Sequence, residues 1–562
     1  MIGDKRMSAL GAAAGVLAGA AGICVGYLIA GITGPVGSPV VAVGQLAIDL
    51  SPPPVKNFAI SEFGSHDKLV LQIGVLVVLA VFAAVIGALA VRRTRYGLAG
   101  IAVFGAAGLV AAGTRPTATA NDLLPTLVGT AAAALILIQL VNTAGQMRGG
   151  QARDGQRGRG PAGKDRAGTA PADDAPATAR SGPAGAGPAG ARSAGAGSPR
   201  TSAVTVTEPR RRFLAIGATA AGASAVAYLG GRLLSERADV TAAEQALRLP
   251  APASPARPLP VGSDLRIPGL SSFITPSSAF YRVDTAIVLP QIPPASWQLR
   301  IHGMVSRELT LTFDDLIRRP LIEDYITLCC VSNPVAGPYI GNARWLGASL
   351  GALLRQAGIK AGANQLYCTS FDGFTSGTPV QTAMDGRDAL LAVAMNGQPL
   401  PVAHGFPVRT VVPGLYGYVS ACKWITDIEV TTYASNVAYW AQRGWTAQAP
   451  IKTESRIDVP NGQAAIKAGR TVIAGVAWAQ HKGIDAVEVR VDGGPWRHAK
   501  LAAVPGIDTW RQWMIYWNAA AGTHHIEARA TDATGYTQTS LALPPEPNGA
   551  SGYPLVTVTV TG

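Results

Sequence analysis

The sequence predicts a multi-domain chain: an N-terminal all-α transmembrane bundle, then an α+β domain, then a small all-β sandwich. Three observations carry this. Long uncharged runs crowd the first quarter of the 562 residues, tryptophan, tyrosine and histidine fall almost entirely after residue 270, and strictly alternating strand patterns dominate the last quarter.

The bundle comes first. The runs Met7 to Ile32, Leu69 to Val91, Tyr96 to Thr114 and Leu123 to Val141 match or approach the roughly 20 apolar residues that span a bilayer. Lys5 and Arg6 flank the first run, and Arg92, Arg93 and Arg95 sit between the second and third. Placing both groups on the cytoplasmic side sends the loop Thr33 to Lys68 outward and returns the fourth run to the cytoplasm. No run carries an internal acidic or basic residue, and the one histidine before residue 300, His66, lies in a loop. A haem site inside the bundle is thereby excluded, as is an ionisable ion path. Region 1–141 reads as an anchor, a docking element or a lipid-facing platform.

Region 142–209 is Gly, Ala, Pro, Ser and Arg in low-complexity order and predicts a disordered cytoplasmic linker beside anionic lipid. The chain's net charge of +13 raises the question of nucleic acid, but this basic segment lacks stacking aromatics, so no nucleic-acid partner is expected. Region 210–231 opens Arg210-Arg211-Arg212-Phe213-Leu214 ahead of a Gly/Ala-rich apolar run. Two readings stand: a fifth transmembrane helix, or a signal resembling the bacterial twin-arginine export motif. Both deliver the rest of the chain to the extracytoplasmic side of the cell membrane. A proline-rich connector, 232–270, follows.

The stretch from Tyr325 to Gly347 organises the globular half. A β-branched strand delivers Cys329 and Cys330 to the turn Val331-Ser332-Asn333-Pro334. A thiol at the mouth of a strand is placed to meet something bound in a cleft, although paired buried cysteines are also ordinary core residues. The five cysteines are scattered without metal-knuckle spacing, which argues against a disulfide framework or structural zinc. Further on, His404-Gly405-Phe406-Pro407-Val408-Arg409 and Pro413-Gly414-Leu415-Tyr416-Gly417-Tyr418-Val419-Ser420-Ala421-Cys422-Lys423-Trp424 set cations inside an apolar, aromatic stretch. A guanidinium fork, an ammonium and glycine-opened backbone are what a bound phosphate needs.

These blocks, with Thr275-Pro276…Phe280-Tyr281-Arg282 and Ser370-Phe371-Asp372-Gly373-Phe374, resemble in order the signature stretches of the sulfite oxidase family. The resemblance implies a sulfite-oxidase-type molybdopterin domain over 271–433 and an immunoglobulin-like sandwich over 434–562, which in the family often mediates dimerisation and so implies a homodimer. It implies a molybdenum–molybdopterin cofactor, with Cys330 as the catalytic metal ligand and Cys329 its buried neighbour. Phe280, Tyr281, Arg282, Ser370, Asp372, His404, Arg409, Ser420 and Lys423 become the cofactor-binding set. The implied reaction is two-electron oxygen-atom transfer on a small sulfur- or nitrogen-oxo substrate. Sulfite-oxidising members follow the cysteine with an arginine, whereas here Pro334 and Val335 follow Asn333. No haem, flavin or nicotinamide motif is present, so electrons pass to or from a separate protein or the quinone pool. The competing readings are a metal-free binding or scaffold protein that reuses the fold, and a docking subunit for a membrane redox partner.

Overall fold

The computed structural model describes residues 2–34, 37–52, 55, 67–115, 118–157, 208–237, 239–463 and 465–562. Among the described residues the first half holds six helices of twelve residues or more: α1 (Ile2–Thr33), α2 (Pro39–Leu50), α3 (Asp67–Ala90), α4 (Thr94–Gly113), α5 (Leu124–Arg157) and α6 (Glu208–Arg237). Among the described residues, five helical stretches are long and apolar enough to cross a membrane. They coincide with the four predicted spans and with the run after Arg210–Arg212. The apolar helix α2, inside the predicted outer loop, was not expected.

Two boundaries differ from the sequence reading. The helix α5 continues to Arg157, into the stretch predicted as linker, because Gln146, Met147 and Arg148 are good helix formers that the Gly/Ala composition conceals. The remainder of that linker, 158–207, lies outside the described residues, as does His66. Similarly α6 runs past Gly231 to Arg237, where Arg232 and Glu236 form an i,i+4 pair at 2.8 Å.

The chain divides into two compact units, one of Met1–Val25, Val78–Phe104 and Gly129–Val226, the other of Gly26–Val77, Gly105–Val128 and Ala227–Gly562. In the first, α1 and α3 touch backbone to backbone: a Cβ on Gly15 would collide with the Ala83 carbonyl, and one on Gly87 with the Gly11 carbonyl. Such small-residue contact is how apolar helices associate where lipid supplies no hydrophobic drive. Ala14, Ala18, Leu137, Leu140 and Phe213 fill the space beside it.

The second unit holds the α+β part, whose strands are β1 (Gln298–Gly303), β2 (Leu309–Thr312), β3 (Leu321–Cys329), β4 (Ile340–Ser349), β5 (Gln365–Ser370), β6 (Thr375–Pro379), β7 (Leu390–Met395), β8 (Gln398–Pro399), β9 (Arg409–Val411) and β10 (Ile425–Thr431). They form two sheets, ordered β2-β1-β10-β5-β6 and β3-β4-β7-β8, with β9 also paired to β7. The hairpin β3–β4 is buried along almost its whole length, which suits its run of apolar and β-branched residues. Its closing turn holds the cysteine pair. An Asn-Gly hairpin joins β7 and β8: Asn396 and Gly397 both take positive φ.

Among the described residues further strands follow: β11 (Glu454–Val459), β12 (Ile466–Lys467), β13 (Gly469–Trp478), β14 (Ile484–Val491), β15 (Arg497–His498), β16 (Lys500–Leu501), β17 (Arg511–Ala519), β18 (Gly522–Asp532) and β19 (Leu555–Thr561). They make two sheets, β11-β13-β17-β16 and β12-β19-β18-β14-β15. Ile457, Ile473 and Trp513 of one and Val487, Ile526 and Val558 of the other share a single core, so the alternating strands bury one face each.

Candidate cofactor site

The cysteine turn is tightly closed. The Cys330 N–H donates to the Tyr339 carbonyl at 2.9 Å and the Asn333 N–H to the Cys330 carbonyl at 3.1 Å. The buried Asn333 side chain accepts from the Tyr339 N–H at 2.8 Å, so this asparagine shapes the loop. Cys329 and Cys330 part company here. The Cys329 thiol is fully buried in the main core cluster, whereas Cys330 is half-buried and its Sγ lies 2.9 Å from the Ser332 hydroxyl. Burial raises the Cys330 thiol pKa, while Ser332 and the positive charge of Lys423 pull it back.

Facing the turn is the entry loop, pinned by the backbone of β4 and a side chain of the β7–β8 turn. The Thr275 N–H donates to the Asn342 carbonyl at 2.8 Å, and Asn396 Nδ2 donates to the Thr275 carbonyl at 3.0 Å. Phe280 stacks on Tyr281 and meets Trp345 and His404 edge-on, with centroids 5.2, 5.8 and 5.7 Å away. Burial raises the Tyr281 phenol pKa well above its ordinary value, and both cysteine thiols lie near enough to add to that rise.

The cations gather on the same side. Arg409, only 5% exposed, donates from Nη1 to the His404 carbonyl at 3.0 Å, with longer contacts to the carbonyls of Thr410 and Ala421, and it lies over the Trp345 ring at 5.1 Å. Its partners among the described residues are carbonyls and a ring; no carboxylate pairs with it. Burial pushes its pKa down to about 10. His404 sits on the Ser277 carbonyl through Nε2 at 3.1 Å; burial, with Arg409 and Lys423 adding to it, pushes its imidazole down to about 4, leaving it neutral at pH 7. Gly405, at φ 110°, lets the chain turn here; a Cβ would stand 3.1 Å from Arg409 Cβ and 3.2 Å from Lys423 Cβ.

Lys423 is already engaged. Its Nζ lies 2.8 Å from Asp284 Oδ2, which also takes Arg282 Nε at 2.8 Å. Burial pushes Lys423 down to about 8 against the opposing pull of Asp284. Asp284 was missed by the sequence reading, and nothing in its surroundings of Val283 and Thr285 signals a role. Asp372 caps its own turn by accepting from the Phe374 N–H at 3.2 Å; burial raises its carboxyl, and it sits near Asp284 and Lys423. Ser370 is buried at the end of β5, whose last residues carry this turn. Ser420 is buried too, but its hydroxyl donates back to the carbonyls of Leu415 and Tyr416, each at 3.1 Å, in the turn that leads into its own short helix.

Residues 286–440 match the model of the oxidoreductase molybdopterin-binding domain. Sulfite oxidase of Gallus gallus is 30% identical over 321 residues, covering 48% of this chain and 69% of that protein. Mitochondrial sulfite oxidase of Rattus norvegicus is 30% identical over 292 residues, covering 43% of this chain and 53% of that protein. The chain thus spans about half the length of the mammalian relatives it matches. Among solved structures, the sulfane dehydrogenase SoxCD of Paracoccus pantotrophus aligns with TM-score 0.45 and 24% identity, over 51% of this chain and 84% of that one. The fold and its matched domain define a molybdopterin-binding oxidoreductase class, whose cofactor is molybdenum held by molybdopterin. The chain belongs to the sulfite oxidase family.

The donor set fits that cofactor. The half-buried Cys330 thiol and the buried Arg409 guanidinium, which has no carboxylate partner among the described residues, both lie near the Tyr281 ring. A cation removed from water without a carboxylate is costly unless an anion joins it.

Proposed function

We propose that this protein is a membrane-anchored, extracytoplasmic molybdenum oxidoreductase that transfers one oxygen atom and two electrons to or from a small sulfur- or nitrogen-oxo compound. The observation that carries the reading is Arg409, a buried cation bonded only to carbonyls, sharing its surroundings with the Cys330 thiol through Tyr281. In this reading Cys330 gives the metal its protein thiolate. Arg409, Lys423 and neutral His404 hold the cofactor's phosphate end, and Phe280, Tyr281 and Arg282 line the pterin, with Ser370, Asp372 and Ser420 shaping the wall. Bound there, molybdenum supplies the oxygen-atom and electron transfer, while the protein supplies position and field. Asp284 neutralises Lys423 and Arg282 before the cofactor arrives, and Ser332 stabilises the thiolate once its proton has left.

The surroundings follow the same reading. Five apolar helical stretches and the basic residues Arg6, Arg92, Arg93 and Arg95 support a multi-pass anchor with the cofactor domain outside. Arg210–Arg212, in the first turn of α6 and ahead of its apolar run, act as a twin-arginine-like signal, suited to a domain that crosses the membrane already folded around its cofactor. The domain limits 271–433 and 434–562 are kept, the latter as an immunoglobulin-like sandwich able to pair two copies. Electrons leave or enter through a separate carrier or the quinone pool. A metal-free scaffold is disfavoured, because it would keep a buried arginine with nothing to hold.

Elemental analysis of the full chain, produced in a host that makes the pterin and purified in detergent, tests this. One molybdenum per chain is expected, with a paramagnetic signal altered in Cys330→Ala and kept in Cys329→Ala. Folded, metal-free protein would end the proposal.

A further inference from the structure

A second set of buried polar groups lies behind the cysteine loop, outside the cofactor-facing residues. Glu454 begins β11 directly opposite Trp478 in β13, so the two side chains project to one face. Glu454 is 4% exposed, Trp478 0% and Gln480 3%. Glu454 Oε1, Trp478 Nε1 and Gln480 Oε1 have no hydrogen-bond partner among the described residues. Trp478 shares a core cluster with Cys329, Val331 and Tyr416, and Gln480 Nε2 donates to the Thr327 carbonyl at 3.1 Å, two residues before Cys329. These groups therefore lie against the strand that carries the cysteines.

A carboxyl oxygen, an indole N–H and an amide oxygen, all buried and without a protein partner among the described residues, are groups that ordered water satisfies. Packing alone gives no reason for a carboxyl here. The charged and titratable groups around it are few. Lys452 precedes it, with its ammonium turned to Asn548 Oδ1 at 3.0 Å and to the Gly549 carbonyl; Tyr416 and Cys329 face it from the neighbouring loop and β3. Burial pushes the Glu454 carboxyl up to about 8.

We infer that Glu454 is the proton-holding residue of the site: with Trp478 and Gln480 it encloses water behind the cysteine loop, and it takes up one proton as the cofactor site gains negative charge and releases it as that charge leaves. This rests on the functional reading above. Only the O–H bond of the Glu454 carboxyl forms and breaks; the proton comes from solvent water, and the electrons come from the reducing substrate. The coupling is electrostatic, since a charge added beside Cys330 acts on a carboxyl near its neighbour Cys329 through a low-dielectric interior.

Infrared difference spectroscopy on the full-length holoprotein in detergent, oxidised against dithionite-reduced at pH 8, reads this directly. A carboxylic C=O band that grows on reduction, moves in D2O and is lost in Glu454→Gln is expected, and in the same variant the molybdenum midpoint potential loses its inflection near pH 8. A band that ignores reduction, or no band sensitive to the variant, overturns the inference. Should Glu454→Gln fail to fold, Glu454→Asp retracts the carboxyl by one methylene and must shift the band; an unmoved band also overturns it. Metal-free protein would leave the reduction arm silent while a pH-difference spectrum still showed the carboxyl, which separates failure of the functional reading from failure of the pocket.

Discussion

Arg409 is where the chemistry of a single residue says most. It is buried, bonded to carbonyls and laid over Trp345. Arg409→Lys should not rescue it, because an ammonium cannot reproduce the planar fork or the ring contact. Retention of the cofactor should fall at least about tenfold in that variant and further in Arg409→Met, read as molybdenum per chain after dialysis; losing one partner of a buried charged pair costs about 2–5 kcal/mol. Lys423 sets a pH limit. With its pKa lowered to about 8, the ammonium is charged below that pH and loses its charge above it. Uptake of the pterin by cofactor-free protein should therefore be full near pH 6–7 and weaken as the pH rises through about 8, and Lys423→Arg should remove the dependence. Glu454 sets a pH dependence of stability that runs in the same direction. Its folded pKa lies above the ordinary carboxyl value, so the unfolded chain ionises first and stability falls from about pH 4.5 to about 8. Thermal midpoints of Glu454→Gln should lose that slope.

At the scale of elements, the turns hold the site. Gly405 joins the short helix bearing His404 to β9, which carries Arg409, and its φ of 110° is one that side chains rarely adopt. Gly405→Ala should destabilise the domain by about 1–3 kcal/mol, the usual cost of such strain, and push Arg409 and Lys423 apart, lowering both the thermal midpoint and cofactor retention. This element was legible beforehand because its chemistry is written in contiguous letters, as is that of the cysteine turn. Asp284 was not legible: its bond to Lys423 joins positions 139 residues apart, and no local pattern announces it. Ser420 illustrates the converse, since its place in the motif was visible while the direction of its hydroxyl depends on the two carbonyls before it. Helix ends failed for a related reason: composition marked 142–157 as linker, while the helix-forming Gln146, Met147 and Arg148 carry α5 onward.

For the whole molecule the question is whether the helices serve the chemistry or only hold it. All residues proposed to grip the cofactor lie between 280 and 423, and the core that supports them is drawn from residues after Phe273, with Val240 and Leu247 at its edge. A chain starting at residue 239 keeps that core intact and sheds every long apolar helix. It should then bind molybdenum at one per chain and retain dye-linked turnover within about tenfold of the full protein, a loss of no more than about 1.4 kcal/mol in barrier. Exchange with a membrane quinone, by contrast, should vanish together with membrane association. The two assays run on the same two proteins distinguish the cases. Equal dye-linked rates with loss of quinone exchange would make the bundle an anchor and docking element. A truncated form that holds its molybdenum but has lost dye-linked turnover would mean that the helices take part in the site itself, and the roles assigned to residues 280–423 would then be incomplete.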